Sequence, residues 1–594
     1  MDSGLPQEAR APFAPAAAAL QLWRDWRAKR RPVVLRPYVD LHSRWRLAAR
    51  FLLPAGLGLF CLIYGFFFAL TAPYLIVPMS APVVLLALLS IWALPERSHA
   101  PTRAMEFCFS ALLISLALWP NYLALTLPGL PWITMIRLTA FPMAFFLLVS
   151  LSTSPQFRAR IAEAAAGAPL LFTCLLIFSV NCFISLPLSK GIGDSLNKLI
   201  LQQLNWVGVF LVALYIFRQP GRAERYAGLL LLIAIPVAAV GLLEFQGEHV
   251  PWAGHVPSFL RVEDPAVQRA LAGAVRSATG LYRAKATFST ALGLAEFLAL
   301  MTPFAIHWAV GRYPFAVKVA GFLLIPALYV VIRTTDARLG VVGFIISVAV
   351  YVLIWSLVRW RRRIGDLFAA ALVYAYPAAF IVLLGASMFV HKIHVLIFGG
   401  GAQSASDFAR QRQWDMTWPA LFKNPIGYGS GQAGVSLGYG AGDFIAVDSY
   451  YIDMALSYGA LGVTLYVGMF AIAIGTIVRA LLTYTEHDDR EFSLLIPIAT
   501  CLTAFLVIRS VFAQAEIHPM IFAILGMAVC LIARAKSESA AQREYGQGYL
   551  KHSDTRSHQR SPARAPLGTV SVLAIAIGAS VALWIFAGLK AATN

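Results

Sequence analysis

Residues 339–358 read LGVVGFIISVAVYVLIWSLV, a stretch without a single charge. Arg338 precedes it and Arg359, Arg361, Arg362 and Arg363 follow it. At 1.5 Å of rise per residue, about twenty apolar residues cover the roughly 30 Å hydrocarbon core of a bilayer. A soluble helix of that length shows a polar face, and this one has none. Inside lipid the backbone must satisfy its own amides, which a helix does. The stretch therefore reads as a membrane-spanning helix with basic residues at both mouths.

Working outward, similar runs recur near 51–70, 74–94, 104–123, 132–151, 168–187, 199–217, 226–243, 286–310, 315–332, 367–390, 449–478, 492–511, 515–533 and 568–588. The run at 449–478 is too long for one upright helix and is expected to begin outside the membrane. Composition agrees: hydrophobic residues make up 59% of the 594, charged residues 13%, and mean hydropathy is +0.70. A soluble chain carries about a quarter charged residues. The expected fold is an all-α polytopic transmembrane helical bundle. Two long extracytoplasmic loops, 244–285 and 391–447, are expected to contain short helices. The parts are a basic N-terminal segment (1–50), a polytopic domain (51–533), a polar linker (534–567) and a last span (568–594).

A net charge of +19 raises a nucleic-acid reading, but the placement of the charge excludes it. Of the 48 lysines and arginines, 31 fall in one alternate set of inter-span segments and 15 in the other. That bias is the positive-inside pattern and puts the N-terminus in the cytoplasm. The six cysteines all lie in apolar runs without CxxC spacing, so neither disulfides nor a metal site are expected. The first 50 residues are too basic to be a signal peptide. Segment 20–50 mixes Trp with Arg and reads either as an interfacial helix on anionic headgroups or as a topogenic arm.

Arginines on the outer side run against that bias and call for a reason. Arg261, Arg269, Arg276, Arg283, Lys285, Arg333, Arg338, Arg410, Arg412 and Arg509 all fall there, several at the mouths of spans. The guanidinium fork donates two parallel hydrogen bonds and matches phosphate. As a group these residues suit a lipid-linked phosphate or diphosphate; singly, each also fits snorkelling or pairing with a local acid. In loop 244–285, Asp264-Pro265 reads as a helix start and Gly280 as its stop, which puts Arg269 and Arg276 on one face. In loop 391–447, Arg410, Trp414, Trp418 and Phe422 recur every four residues and form a helical stripe that ends at Asn424-Pro425. Gly427-Tyr428-Gly429-Ser430-Gly431 lacks the Lys-Ser/Thr of a phosphate loop and reads as a turn. His391 and His394 have no further ligand to complete a metal set. His307 and His518 read as satisfied core histidines, and Glu516 as an ion-pair partner for Arg509.

Four of these stretches, in order, resemble the superfamily of O-antigen ligases and O-antigen or exopolysaccharide polymerases (Wzy-type), which are membrane glycosyltransferases. They are Arg283-Ala-Lys-Ala-Thr-Phe-Ser289 with Gly293-Leu-Ala-Glu296; Thr334-Thr-Asp-Ala-Arg338-Leu-Gly340; Arg410-x-x-x-Trp414 with Asn424-Pro-x-Gly427-x-Gly429; and Asp448-Ser-Tyr-Tyr-Ile-Asp-Met-Ala-Leu-Ser-Tyr-Gly459. The resemblance covers roughly 170–530. Asp448 stands where ligases carry a His, and Asp336-Ala337 where Ser is usual. The resemblance implies glycan transfer on the outer face of a bacterial cytoplasmic membrane, with undecaprenyl-diphosphate-linked oligosaccharide as donor and neither nucleotide sugar nor metal. Its implied partners are that donor, membrane lipids and other polysaccharide assembly proteins.

In that chemistry, Arg283, Lys285, Arg338, Arg410 and Arg509 are the candidates to hold the diphosphate as charge develops on it. Asp448 is the candidate general base, or else the N-cap of the helix that starts at Ser449. Trp414, Trp418 and Tyr450 are candidates to stack on sugar, or else packing residues. The missing His favours a polymerase over a ligase. A flippase or exporter is the alternative of another class; it predicts internal repeats and midplane charges, which the sequence lacks.

Overall fold

The computed structural model describes residues 52–553, apart from 53–54, 57, 68–75, 98–99, 127–131, 274, 276–279, 364, 392–403, 439, 442–443, 446 and 485–488. The basic segment 1–50 and the expected span 568–588 lie outside the described residues. Contacts divide the chain into two units, 1–79 and 80–594. Helix α1 (Gly58–Phe67) belongs to the first, and α2 (Ile76–Trp92) starts at its end.

In the second unit the chain continues through α3 (Thr102–Leu118), α4 (Met135–Thr153), α5 (Pro155–Ala165), α6 (Pro169–Ile184), α7 (Ile192–Gln203), α8 (Val209–Ile216) and α9 (Arg222–Gly247). A short α10 (Pro265–Ala272) precedes α11 (Ala291–Val310), α12 (Phe315–Thr334), α13 (Arg338–Arg362) and α14 (Leu367–Phe389). Then come α15 (Ser404–Lys423), α16 (Ala433–Leu437), α17 (Tyr450–Thr483), α18 (Arg490–Ser493), α19 (Leu495–Ile508) and α20 (His518–Ser553). Among the described residues the strands form two small antiparallel pairs, with Ala124 opposite Thr134 and Gly440 opposite Ile445. The chain is an all-α helical bundle.

Ten helical stretches among the described residues are long and apolar enough to cross a membrane, where the sequence suggested fifteen. Of the other five runs, 568–588 lies outside the described residues, 51–70, 74–94 and 367–390 are described only in part, and α3 is 17 residues long. The run at 286–310 becomes helical only at Ala291, where the Thr290 hydroxyl accepts from the Gly293 amide at 3.3 Å. The helix α20 runs on to Ser553, well into the polar segment read as a linker.

Burial ranks the helices from centre to rim. Helix α11, the stretch 490–508 and the first part of α20 are buried over 78%, 83% and 78% of their apolar windows, so they form the core. Helices α4 and α12 are each buried over 22%, and their remaining apolar surface faces outward. Helices α11 and α13 run parallel: Gly340 packs on Ala295 and Gly343 on Ala299, and the Ser347 hydroxyl bonds the Ala299 carbonyl at 3.0 Å. Their N-termini therefore lie at one end of the bundle, with the C-termini of α9, α12 and α19.

At the other end, segments that the charge count placed on one side are tied together. Arg158 meets Glu96 at 2.9 Å, Arg218 meets Glu163, Arg222 meets Glu106 at 2.9 Å, and Arg534 meets Glu491 at 2.5 Å. Glu491 also accepts the Ala223 amide at 2.9 Å and so caps α9 from outside.

Candidate functional site

The first half of the site is a loop clamped to a turn. In α9, Glu244 is fully buried and accepts the Lys285 amide at 3.1 Å, the Ala286 amide at 2.6 Å and the Tyr282 hydroxyl at 2.9 Å. Ala286 sits at φ 49°, a left-handed conformation that three such bonds hold in place. The loop then docks on the turn after α12: the Ala284 amide bonds the Thr334 carbonyl at 3.2 Å, and Arg283 Nε donates to the Thr335 carbonyl at 3.0 Å. Asp336, at φ 45°, carries the chain round to Arg338 at the first turn of α13. Two stretches some fifty residues apart thus put Arg283 and Arg338 beside one turn.

The second half is built by α15 and the start of α17. Gln413 is buried, and its Oε1 accepts the Asp448 amide at 3.0 Å. One turn earlier on α15 is Arg410, whose charge acts on the Asp448 carboxyl. Burial pushes that carboxyl above the usual range, and Arg410 works against the rise. The helix starts at Tyr450 with Ser449 as its cap residue, so Asp448 does not cap it.

A buried pin joins the halves. Arg509, at the end of α19, is fully buried and pairs both oxygens of Glu296 on α11 at 2.5 and 2.6 Å. It also donates to the Phe512 and Gln514 carbonyls, and its own carbonyl accepts the Tyr450 amide at 3.1 Å. The rings of Phe505, Tyr450 and Phe512 surround it at 4.9–5.3 Å. The Ser289 and Thr290 hydroxyls reach Gln514 Oε1 at 3.1 and 3.0 Å and close the circuit back to the first loop.

Several sequence expectations change here. Arg509 is not at the mouth: it is fully buried and pairs with Glu296, not Glu516, which sets it apart from the outer arginines. Tyr450 is 2% exposed and offers no face to a sugar. Lys285 is 3% exposed with its ammonium 5.6 Å from the Tyr122 ring centre, and burial lowers its pKa to about 8 against the opposing pull of Glu244. The helix from Pro265 stops at Ala272, short of Gly280, and Val275 forms an antiparallel bridge with Tyr282. Arg276 lies outside the described residues, as does His394, and Arg269 Nε donates to the Pro265 carbonyl of its own helix.

Other expectations hold. The stripe on α15 forms, with Trp414 and Trp418 rings 6.5 Å apart and Trp418 and Phe422 rings 6.3 Å apart. Trp414 packs against the buried cluster of Ala433, Leu437, Ile452 and Leu456, whereas Trp418 is 43% exposed. His307 bonds Tyr351 and Ser493, and His518 bonds Tyr466 and the Ala515 carbonyl. Both are satisfied core histidines.

The glycine-rich segment does more than turn. Helix α17 breaks at Gly459 (φ 73°, ψ −177°), which frees the carbonyls of the preceding turn. The Tyr428 amide takes Leu456 O at 2.7 Å, the Gly429 amide takes Ser457 O at 3.0 Å, and Asn181 Nδ2 takes Tyr458 O at 2.9 Å. Irregular backbone survives inside a bundle only when it is satisfied in this way. Sequence reasoning missed Glu244 and Gln413. Glu244, an acid directly after an apolar run, was a readable signal; Gln413 had none.

Arg283, Arg338, Arg410, Asp448 and Trp418 are the remaining candidate residues that the structure describes at this end. No protein-family model and no curated protein matches the chain.

Proposed function

We propose that the chain is a membrane glycosyltransferase that takes undecaprenyl-diphosphate-linked glycan on the outer face of the cytoplasmic membrane and joins repeat units into a longer polysaccharide. The observation that carries this reading is the gathering of Arg283, Arg338, Arg410 and Asp448 at one end of an apolar bundle. Three guanidinium groups and one carboxyl of raised pKa suit a reaction in which a diphosphate leaves and a hydroxyl attacks.

In that reaction the C1–O bond to the diphosphate breaks and its electron pair leaves with the phosphate. Fixed guanidinium donors stabilise the growing negative charge, and they need no rearrangement to do so. The acceptor hydroxyl forms the new C1–O bond and gives its proton to Asp448. Trp418 offers a ring for the glycan to lie on.

The test supplies purified protein in nanodiscs with undecaprenyl-diphosphate oligosaccharide, no nucleotide sugar and excess chelator, and sizes the products. A ladder of repeat multiples with released undecaprenyl diphosphate is the expected result. Transfer that appears only when a lipid or protein acceptor is added makes the enzyme a ligase. An intact donor in both arms overturns the enzyme reading in favour of a transporter.

A further inference from the structure

Beside the turn that carries Arg338, the ends of α9 and α12 leave an open groove of about 290 Å³ lined by Phe245, Tyr329, Val330, Arg333 and Thr334. Tyr329 and Val330 are 38% and 52% exposed, and Thr334 forms a buried base. Arg333 is exposed at the rim, and among the described residues no carboxylate or carbonyl receives its guanidinium. At the opposite end of the bundle, Arg158, Arg218, Arg222 and Arg534 each have an acid. An unpaired guanidinium above an apolar wall is complementary to an anion that ends an apolar chain.

The groove is also continuous with the clamped loop. Arg333 is followed directly by Thr334 and Thr335, whose carbonyls hold Ala284 and Arg283. Phe245 follows Glu244, which holds the Lys285 and Ala286 amides. Each wall is thus the next residue along from an anchor of the loop that presents Arg283. Tyr329 and Val330 belong to the outward apolar surface of the membrane-crossing α12, which an isoprenoid chain matches and a water-soluble sugar phosphate does not.

We propose that this groove seats the first isoprenoid units of a polyprenyl diphosphate, with Arg333 donating to a phosphate oxygen at its mouth. The inference rests on the reading that the donor is a lipid diphosphate. It adds a lateral binding site for the lipid, with Arg333, Tyr329 and Val330 as its residues.

The test uses the full chain in nanodiscs and a polyprenyl diphosphate that bears a diazirine in its first isoprene unit, with labelled peptides mapped by mass spectrometry. Labelling is expected on the peptide that contains Tyr329 and Val330. Undecaprenyl diphosphate should compete; phosphatidylglycerol and inorganic pyrophosphate should not. Arg333→Ala should raise the half-competing concentration about tenfold or more, the usual size of a lost charge-assisted hydrogen bond, and Arg333→Lys should raise it less. Val330→Trp, at a half-exposed position, should fold and block labelling by filling the groove. Labelling elsewhere, equal competition by phosphatidylglycerol, or unchanged competition in Arg333→Ala overturns the site. If the groove labels but no glycan is transferred, the reaction reading fails and the groove stands. If Arg333→Ala and Val330→Trp transfer glycan at full rate, the groove fails and the reaction stands.

Discussion

Asp448 and Arg509 show how a charged residue takes its role from where the chain buries it. The Asp448 carboxyl is half-buried, unclaimed by the helix start and close enough to feel Arg410. A base works only when unprotonated, so a raised pKa shifts the acid limb of activity to higher pH than an exposed aspartate would show. Replacing Arg410 by Ala removes the charge that holds the pKa down, and the limb in kcat/KM should move to higher pH. A limb that stays put or moves down means that Asp448 is not the base. Asp448→Asn should lower kcat by about a hundredfold or more, and Asp448→Glu should keep part of it. Arg509 behaves differently, because its charge is used inside the protein. Arg509→Ala leaves Glu296 buried without its partner and should destabilise the fold by about 3–5 kcal/mol. Arg509→Met with Glu296→Leu should cost less than either single change, read as the midpoint of thermal unfolding in detergent. A variant Arg509→Ala that melts normally yet loses donor binding would return Arg509 to the ligand set.

Among the elements, the broken helix α17 shows where sequence reading stops. Its excess length was legible, because 449–478 is too long for one upright span. The break at Gly459 was not, since it depends on three donors brought in from elsewhere: Tyr428, Gly429 and Asn181. For the same reason Gly427–Gly431 could be read as a turn but not as the piece that satisfies α17. Arg509 was misjudged in kind: the nearby Glu516 looked like its partner, while Glu296 lies 213 residues away. Local signals fared better, as the start of α10 at Pro265 and the end of α15 at Lys423 show. The break yields a graded prediction. A Cβ at Gly459 would stand 1.9 Å from the Pro425 carbonyl oxygen, and backbone cannot move aside cheaply. A Cβ at Gly431 would meet Lys198 Cδ at 2.2 Å, the flexible stem of a side chain. Gly459→Ala should therefore abolish folded protein in the membrane, while Gly431→Ala should accumulate with a modest fall in melting temperature. Equal tolerance of both would mean that the helix is not broken at Gly459.

For the whole molecule, the alternation of charge and the network of ion pairs are independent observations that agree. The count of lysines and arginines groups 95–103, 155–163, 217–225, 479–490 and 534–566 on one side. The pairs Arg158–Glu96, Arg218–Glu163, Arg490–Glu224 and Arg534–Asp489 join members of that same group. Arg283, Arg338 and Arg410 belong to the other set, and at the opposite end Arg338 opens α13 while Arg283 lies on the loop that leads into the parallel α11. Which end faces the cytoplasm then bears on the proposed chemistry, because outside the cytoplasm no nucleotide-activated donor is expected and a lipid diphosphate has to carry the activated glycan. Single cysteines in a cysteine-free background read this directly. Phe259→Cys, 62% exposed in its parent side chain at the site end, should react with a membrane-impermeant maleimide in intact spheroplasts. Glu163→Cys, at the ion-paired end, should react only after the membrane is opened. The reverse pattern would put the three arginines and Asp448 in the cytoplasm, where a nucleotide-activated donor is available and the lipid-diphosphate reading loses its main physical argument. Labelling of both positions from outside would mean that the two ends do not face opposite compartments, and the bundle would then not span the membrane in the register that its charges imply.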